Sequence, residues 1–324
     1  MAYSSIVKPT DYFNTKLYTG TGSSNAITGV GFQPDWTWIK QRNGTADHRL
    51  VDAVRGVTKD IYSNLTAVEG TNTNGLTAFG SDGFTVGSDG GYNGNSDTYA
   101  SWNWLAGGSA SSNSDGSITS TVSANTTAGF SIVKYTSNNT AGATIGHGLG
   151  SVPNMVIVKS LANTTRFFVY HSSLGNGSEI YLDDTQAAYN SSTVWNNTTP
   201  TSSVVTLGTT YVNASGDYIA YCFAEKKGYS NFGSYTGNGN ADGIFVYTGF
   251  KPAWILLKNY GASGDSWQLH DNKRLGYNVD NNILFPNTSG TESTADVIDI
   301  LSNGFKIRTT ASGWNSSGVG YIYM

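Results

Sequence analysis

Short runs of alternating apolar and polar residues recur along this chain, and one of them occurs three times. Each occurrence begins near a proline, continues with apolar residues at every second position and ends on a lysine: GFQPDWTWIK (31–40), SVPNMVIVK (151–159) and GFKPAWILLK (249–258). Period-two alternation after a proline is typical of a β-strand whose first residue donates no ladder hydrogen bond. The pattern therefore predicts the same strand in three copies of one unit.

The sequence around each run repeats in the same order. A Tyr-Thr pair in a Gly/Asn/Ser stretch precedes the run, and a second apolar strand and a Gly-rich segment follow it. Such repetition indicates a chain built from copies of one structural unit. Closely spaced turn residues between short apolar runs are typical of β-sandwiches. We predict an all-β fold of three tandem β-sandwich-like repeats, lectin-like or jelly-roll-like, with helical turns confined to 66–79 and 183–195.

The repeat boundaries follow from the spacing of these features. We place copy one at 1–107, a Gly/Ser/Asn/Thr-rich linker at 108–128, copy two at 129–227 and copy three at 228–324. Because Gly/Ser-rich segments are flexible, copy one is expected to be hinged, whereas the short second junction indicates rigid docking of copies two and three. The last strand of copy three is shorter than its counterparts, so we interpret the chain as a portion of a longer one.

The repeated strand has apolar side chains on both faces. Trp36 and Trp38 point to one face, and Ile39 points to the other. A strand of this kind is expected to be central in its sheet and covered on both sides. The lysine that closes each run is expected to mark the point where the strand leaves the core: Lys40, Lys159 and Lys258.

Composition excludes several classes of function. Charged residues make up 12% of the chain and the net charge is -4, so the basic surface that nucleic-acid binding requires is not expected. No apolar stretch reaches the ~18 residues of a membrane-spanning helix, so no membrane insertion is expected. The single cysteine, Cys222, lies in an apolar run and is predicted to be a buried core residue. The four histidines lack metal-ligand spacing, and no cofactor is predicted.

Three segments together resemble a family of virion proteins from tailed phages, many of them marine, which are described as tail fibre or structural proteins. They are FQPDWTWIKQRNGTADHRLVDAVRG (32–56), YCFAEKKGYSNFGSYTGNGNADG (221–243) and LSNGFKIR (301–308). The resemblance spans all three copies. It implies a virion location, a non-enzymatic role, association with other virion proteins and a homotrimeric assembly.

One loop of each copy carries an aromatic residue beside an asparagine, just before the last strand. The residues are Tyr92 and Asn93, Tyr211 and Asn213, and Trp314 and Asn315, with Trp195 as a further loop aromatic. Partly exposed rings stack on sugar faces and asparagine amides bond hydroxyls, which predicts a glycan site present in three copies. The alternative is a turn in which Asn and Gly supply positive φ while the ring covers the end of the sandwich.

Oxygen-bearing side chains suggest two further kinds of site. Asp89, Asn93, Asn95 and Asp97 could form a calcium loop, although it lacks a bidentate Glu and the other copies do not repeat it. A glycoside hydrolase would need two facing carboxyl groups, and the candidates are Glu179, Asp183, Asp184, Glu225, Glu292, Asp296 and Asp299. Asp52 and Asp271 correspond to each other, with His171 in copy two, and a turn-capping role accounts for them.

These observations lead to an ordered set of functional hypotheses. The first is a non-enzymatic tail-fibre or receptor-binding subunit that displays β-domains for attachment to a host surface glycan or protein. The second is a capsid-decorating, head-fibre or other structural protein of the virion. The third, of a different class, is a polysaccharide-degrading tailspike.

Overall fold

The computed structural model describes residues 4, 6–274, 278 and 280–324. Strands account for 41% of the chain and helices for 4%, which confirms the predicted all-β, sandwich-like fold. Helical turns occur at 9–11 and at α1 (Gly90–Asn93) and α2 (Ser312–Asn315), not at the two predicted places. The segments 66–79 and 183–195 instead contain short strands and loops, because their polar residues pair with neighbouring strands.

Copy one consists of a six-stranded sheet, in the order β1-β9-β3-β4-β5-β6, and a three-stranded sheet, β2-β8-β7. The sandwich core between them includes Ile27, Ile39, Val51 and Phe84. The strands are β1 (Phe13–Thr19), β2 (Asn25–Thr28), β3 (Trp36–Gln41), β4 (Arg49–Asp52), β5 (Lys59–Tyr62), β6 (Gly70–Thr71), β7 (Leu76–Gly80), β8 (Gly83–Val86) and β9 (Thr98–Trp104).

Copy two has an eight-stranded sheet, in the order β10-β11-β12-β19-β14-β15-β16-β17, faced by the pair β13-β18. Its sandwich core includes Val133, Val156, Trp195 and Cys222, so the predicted burial of the cysteine is confirmed. The strands are β10 (Ser111–Asn113), β11 (Ser120–Asn125), β12 (Phe130–Thr136), β13 (Ala143–Gly146), β14 (Met155–Ser160), β15 (Phe168–His171), β16 (Ser178–Tyr181), β17 (Tyr189–Asn190), β18 (Val204–Leu207) and β19 (Asp217–Phe223).

Copy three has two four-stranded sheets, β20-β27-β22-β23 and β21-β26-β25-β24. Ile255, Leu257, Phe305 and Tyr321 are part of the core between them. The strands are β20 (Gly233–Thr236), β21 (Phe245–Tyr247), β22 (Trp254–Asn259), β23 (Gln268–Asp271), β24 (Asp280–Ile283), β25 (Ser293–Leu301), β26 (Gly304–Ile307) and β27 (Gly320–Tyr323).

The three copies also share one core, formed by the faces of the large sheets that point away from the sandwich interiors. Trp36 of copy one stacks on Tyr221 of copy two at a ring-centroid distance of 4.4 Å. Trp104 of copy one meets Trp254 of copy three at 5.5 Å. The prediction that the repeated strand is covered on both faces is therefore confirmed. The expected hinge of copy one is wrong, because its outer apolar face is buried against the other two copies.

Loops close the three copies into a ring. In each copy, the segment that follows β5, β16 or β24 reaches the next copy. A backbone N–H of this segment donates to a carbonyl oxygen just after the repeated strand of that next copy. The three bonds are Glu69 to Leu161 at 3.0 Å, Ala188 to Tyr260 at 3.0 Å and Glu292 to Arg42 at 2.8 Å. Copy one thus contacts copy two, copy two contacts copy three, and copy three contacts copy one.

The segment 108–128 is part of the copy-two sheet and not a flexible linker. It contains β10 and β11, and β11 pairs with β12 along its length. At its start, the Asp35 carboxylate accepts the backbone N–H groups of Ala106 at 2.8 Å and Gly108 at 3.1 Å. Small polar residues here form edge strands because a neighbouring strand completes their hydrogen bonds.

The lysines that end the repeated strand are buried, so the expectation that they mark its exit from the core is wrong. Their ammonium groups donate to backbone carbonyl oxygens, and the loop received from the preceding copy supplies some of these acceptors. The bonds join Lys40 to Gln41, Gly44 and Ser289, Lys159 to Thr66 and Thr165, and Lys258 to Asp265. Burial lowers the pKa of each lysine to about 8.

Three polar contacts join the copies within the shared core. The Tyr221 hydroxyl donates to the Asp52 carboxylate at 2.8 Å, and the Trp102 indole N–H donates to the Asp271 carboxylate at 3.0 Å. At the equivalent position of copy two, His171 Nδ1 accepts from the Ser173 amide, and Nε2 donates to the Tyr323 carbonyl at 3.1 Å. Asp52 and Asp271 also accept two amides of the following turn, which confirms their predicted capping role.

This arrangement predicts an acid-sensitive contact at His171. Burial lowers the pKa of its imidazole from 6.5 to about 4. Because the unfolded chain binds the proton more readily, stability is lost as the pH falls from about 6.5 towards 4, by about 3 kcal/mol from this residue. Urea unfolding at several pH values should show a shallower pH dependence for His171→Gln than for the native chain. Parallel curves for the two proteins would contradict the prediction.

Candidate functional site

The asparagines of the three aromatic loops are fully buried. Asn93, Asn213 and Asn315 each accept a backbone N–H with the side-chain oxygen and donate the amide to carbonyl oxygens of a neighbouring loop. Each connects the last-strand loop to the Gly/Asn/Ser stretch that follows the repeated Tyr-Thr pair. Because this hydrogen bonding is equivalent in all three copies, the asparagines have a structural role: they hold the two loops together.

The tyrosines of the repeated Tyr-Thr pairs hold the same loops. Their hydroxyl groups donate to the carbonyl oxygen of the residue just before each buried asparagine: Tyr18 to Tyr92 at 2.7 Å, Tyr135 to Val212 at 2.5 Å and Tyr235 to Trp314 at 2.6 Å. The loop backbone is therefore drawn onto the end of the sandwich. This geometry explains why the motif and the loop recur together in the sequence.

Most aromatic side chains proposed for a glycan site are covered. Tyr92 and Trp195 are buried, and only 9% of the Trp314 surface is exposed. The Tyr92 hydroxyl donates to Asp60, and the Trp314 indole donates to His270 at 3.3 Å. The expected partial exposure is thus wrong for these three rings, because the loops fold back onto the sandwich core. Tyr211 differs from them, with 48% of its surface exposed.

The calcium-loop residues have their side-chain oxygens directed to different segments. Asp89 caps α1 by accepting the Gly91 amide, and its other carboxylate oxygen accepts from the Asn72 side chain. Asn93 accepts from Thr21, and Asp97 accepts from the Asn43 side chain at 3.2 Å. Within the described residues, no group of three or more His, Cys, Asp or Glu side chains is placed to hold a metal ion.

Several carboxylates considered for glycoside hydrolysis form ion pairs with arginines. Arg166 lies 3.2 Å from Asp183 and 2.6 Å from Asp184. Glu292 is 2.8 Å from Arg42 and 3.0 Å from Arg274. Burial raises the pKa of this carboxyl group, but the hydrogen bonds and charges of the two arginines outweigh burial and lower it overall. These side chains connect loops and strands of adjoining segments.

Tyr211 belongs to a cluster of rings at the edge of copy two, which we call the tyrosine patch. It comprises Phe168, Glu179, Tyr181, Tyr189 and Tyr211. Tyr211 stacks on Phe168, and Phe168 contacts Tyr181 edge to face, each with a ring-centroid distance of 5.2 Å. Tyr181 contacts Tyr189 edge to face with a ring-centroid distance of 5.9 Å. Tyr189 is 43% exposed, so Tyr189 and Tyr211 present two partly solvent-accessible rings in one patch.

Strand register brings the patch together. Phe168 on β15 is opposite Tyr181 on β16, and Glu179 on β16 is opposite Tyr189 on the edge strand β17. Glu179 and Tyr181 share one face because they are two residues apart on a strand. Tyr211 approaches from the loop before β19, with a left-handed φ of 63°.

The patch surrounds a buried carboxylate. Glu179 is 4% exposed, and one of its oxygens, Oε1, accepts the Tyr181 hydroxyl at 2.9 Å. The Tyr181 hydroxyl is also hydrogen-bonded to that of Tyr189. Burial, followed by the nearby Glu179, raises the pKa of Tyr189, so this phenol is neutral near pH 7. The exposed part of the patch is formed by Tyr189 and Tyr211.

Sequence reasoning missed most of this patch. The sequence patterns single out neither Tyr181 nor Tyr189, and they indicate Glu179 only as one of several possible catalytic acids. The available signal was the alternation in Ser178–Tyr181, which places the acid and a tyrosine on one face. That signal did not identify Tyr211 as a neighbour, because the contact depends on the fold of a loop far along the chain.

A second surface feature lies at one end of the shared core. It is an apolar cavity of about 450 Å³ beside Pro252, at the start of the repeated strand of copy three. Its lining includes Phe13, Trp104, Phe130, Phe223, Trp254 and Met324. All three copies contribute to it, so the cavity is a product of the closed arrangement.

The fold and the patch define a class: an all-β protein of three sandwich-like units around a common core, with an aromatic surface at the edge of one unit. The chain belongs to the family described as a domain of unknown function, DUF7483, whose model matches residues 8–324. No curated protein matches the chain, and no solved structure does. Among the described residues, no helix has the length and apolar character needed to cross a bilayer.

Proposed function

We propose that this protein is a non-enzymatic virion protein of a tailed phage, a tail-fibre or receptor-binding subunit that attaches to the host surface through the tyrosine patch. The observation that carries the proposal is the pair of partly exposed rings, Tyr189 and Tyr211, at the edge of copy two. The sequence resemblance to phage tail-fibre and structural proteins supports the virion location.

The chemistry of the patch suits a surface glycan. Tyrosine rings offer flat apolar faces for sugar rings, and their hydroxyls exchange hydrogen bonds with sugar hydroxyls. In the other two copies the loop aromatics Tyr92 and Trp314 are buried, so among the described residues the tyrosine patch belongs to copy two. Avidity on a repetitive glycan then requires several chains, which is consistent with the proposed homotrimer in the particle.

A structural role in the virion is the second candidate, and the apolar cavity favours it. A concave apolar surface lined by several aromatic rings is the kind of site where another protein can dock. In this alternative the protein stabilises or decorates the particle, and the cavity faces another virion protein. Its position on the particle would distinguish the two roles: high copy number on the capsid lattice favours decoration, and a tail location favours attachment.

The attachment role predicts loss of binding in a double variant, Tyr189→Ala with Tyr211→Ala. Binding of the soluble protein to an array of bacterial surface polysaccharides should fall at least about tenfold, because both ring faces are removed. Since both residues are about half exposed, the melting temperature should fall by only about 2–4 °C. The matched control is Tyr247→Ala, which removes a tyrosine that is 64% exposed elsewhere on the surface. Array binding unchanged in the double variant, or equally reduced in the control, would reject this role for the patch.

A further inference from the structure

Copy one contains a buried carboxylate at the position of Glu179, with more partners than Glu179 has. The strand Lys59–Tyr62 is equivalent to Ser178–Tyr181, so Asp60 corresponds to Glu179. Asp60 is buried and accepts hydrogen bonds from the hydroxyls of Tyr92 and Tyr62. Arg49 lies 3.5 Å from the same carboxylate and supplies a positive charge.

Arg49 is held between two tyrosine rings in copy one. Its guanidinium carbon lies 4.9 Å from the ring centroid of Tyr92 and 5.2 Å from that of Tyr62. A cation over an aromatic face is attracted by the negative potential of the ring. Copy one therefore combines a buried carboxylate, two tyrosines and a cation supplied by the chain itself.

Copy two retains the carboxylate and one of the two tyrosines: Tyr181 corresponds to Tyr62, whereas Val212 stands where copy one has Tyr92. Arg49 is paired with Tyr62 in the sheet, and the residue paired with Tyr181 is Phe168. The nearby Arg166 lies over the Tyr181 ring, with its guanidinium carbon 5.0 Å from the ring centroid, and forms ion pairs with Asp183 and Asp184. Among the ion pairs of the described residues, none neutralises Glu179.

Glu179 also has an oxygen without a hydrogen-bond donor. Oε1 accepts the Tyr181 hydroxyl, whereas Oε2 is buried and has no hydrogen-bond donor among the described residues. A buried carboxylate oxygen without a donor is unfavourable unless a donor or a cation reaches it. Tyr189, which is paired with Glu179 in the sheet, is one of the two exposed rings of the patch, and Tyr211 is the other.

We propose that the tyrosine patch binds an organic cation, an alkylammonium group, with Glu179 as its counter-ion and the rings of Tyr189 and Tyr211 against its substituents. The bound group supplies Glu179 with the positive charge that Arg49 supplies to Asp60 in copy one. This inference deepens the proposed function, on which it rests for the biological source of the ligand: a host-surface glycan that carries charged amino groups.

The test uses pairs of probes that differ mainly in charge, added to the full chain and followed by calorimetry and ligand-observed NMR. Glucosamine, with an ammonium group, should bind, whereas neutral N-acetylglucosamine should bind at least about tenfold more weakly. Tetramethylammonium should likewise bind in preference to tert-butanol, which has a similar shape and no charge. These four probes separate recognition of the cation from recognition of a sugar ring.

One variant tests the counter-ion. Glu179→Gln preserves the shape of the side chain and removes its charge, and we expect at least a tenfold loss of affinity for both ammonium probes. The matched control is Glu225→Gln, which removes an exposed carboxylate of copy two outside the patch and should bind as the native chain does.

The outcomes separate this inference from the proposed function. Equal binding of charged and neutral probes, or undiminished ammonium binding by a folded Glu179→Gln variant, would overturn the cation site. If the tyrosine double variant still lost polysaccharide binding in that case, the attachment role would stand without it. Selective ammonium binding that depends on Glu179, together with polysaccharide binding that ignores the tyrosines, would support the cation site and reject the attachment role.

Discussion

Alanine at Trp36 is expected to lower the free energy of unfolding of the whole chain by about 4 kcal/mol. The indole is 1% exposed and lies in the shared core, where it packs on Trp104 of its own copy at 4.5 Å and on Tyr221 and Phe130 of copy two at 4.4 and 5.6 Å. Because the ring contacts two copies, its removal should weaken both together. Urea unfolding followed by far-ultraviolet circular dichroism and by tryptophan fluorescence should give one transition, shifted to lower urea.

The control for this experiment is Tyr247→Ala, since a mostly exposed side chain should change the free energy of unfolding by less than about 0.5 kcal/mol. Two outcomes would contradict the prediction for Trp36. One is a loss below about 1 kcal/mol. The other is a two-step curve in which copy one unfolds at low urea and the rest of the chain unfolds as in the native protein.

The second large effect is expected at Asp52. Asp52→Asn should destabilise the chain by about 3 kcal/mol, because breaking a buried ion pair leaves the other charge without its partner. The Arg55 guanidinium is 1% exposed and lies 2.5 Å from the Asp52 carboxylate. The remaining partner, Glu69 at 3.2 Å, offsets part of the loss.

The measurement for Asp52→Asn is the free energy of unfolding from chemical denaturation near pH 7. The matched control is Asp11→Asn, because its salt bridge to Lys8 is exposed on both sides and such pairs contribute little. A free energy of unfolding equal to that of the native chain would contradict a structural role for the buried pair.

Much of the fold could be predicted from the sequence because it depends on local patterns. The three proline-led strands, their burial on both faces and the core position of Trp36 follow from period-two alternation. The capping role of Asp52 and Asp271 follows from their place before a tight turn. These features involve residues close to each other in the chain.

The closed arrangement of the copies could not be predicted in the same way. Alternation shows that both faces of a strand are covered, but it does not identify the element that covers them. The lysines illustrate the difficulty: Lys159 ends an apolar strand, and only the loop from copy one, whose Thr66 carbonyl accepts its ammonium group at 2.9 Å, accounts for its burial. The Gly/Ser composition of 108–128 likewise gave no indication of the strand partner that orders it.

The candidate site was predicted only in part, for a related reason. Composition placed Tyr92, Tyr211 and Trp314 in similar polar loops, and their burial depends on how each loop folds back. Tyr92 is drawn inward by Asp60. Tyr211 instead stacks on Phe168, at a position where copy one has an arginine. The structural difference between these copies therefore lies in cross-strand pairs that no single segment of sequence displays.

A double-mutant cycle between Asp52 and Tyr221 tests most directly whether the three copies form one body. The variants Asp52→Asn, Tyr221→Phe and their combination are compared by urea unfolding. The hydroxyl of Tyr221, in copy two, donates to the Asp52 carboxylate of copy one at 2.8 Å. The loss of unfolding free energy in the double variant should therefore differ from the sum of the two single-variant losses by about 1–3 kcal/mol. Losses that add to within about 0.5 kcal/mol would mean that copies one and two do not share this core.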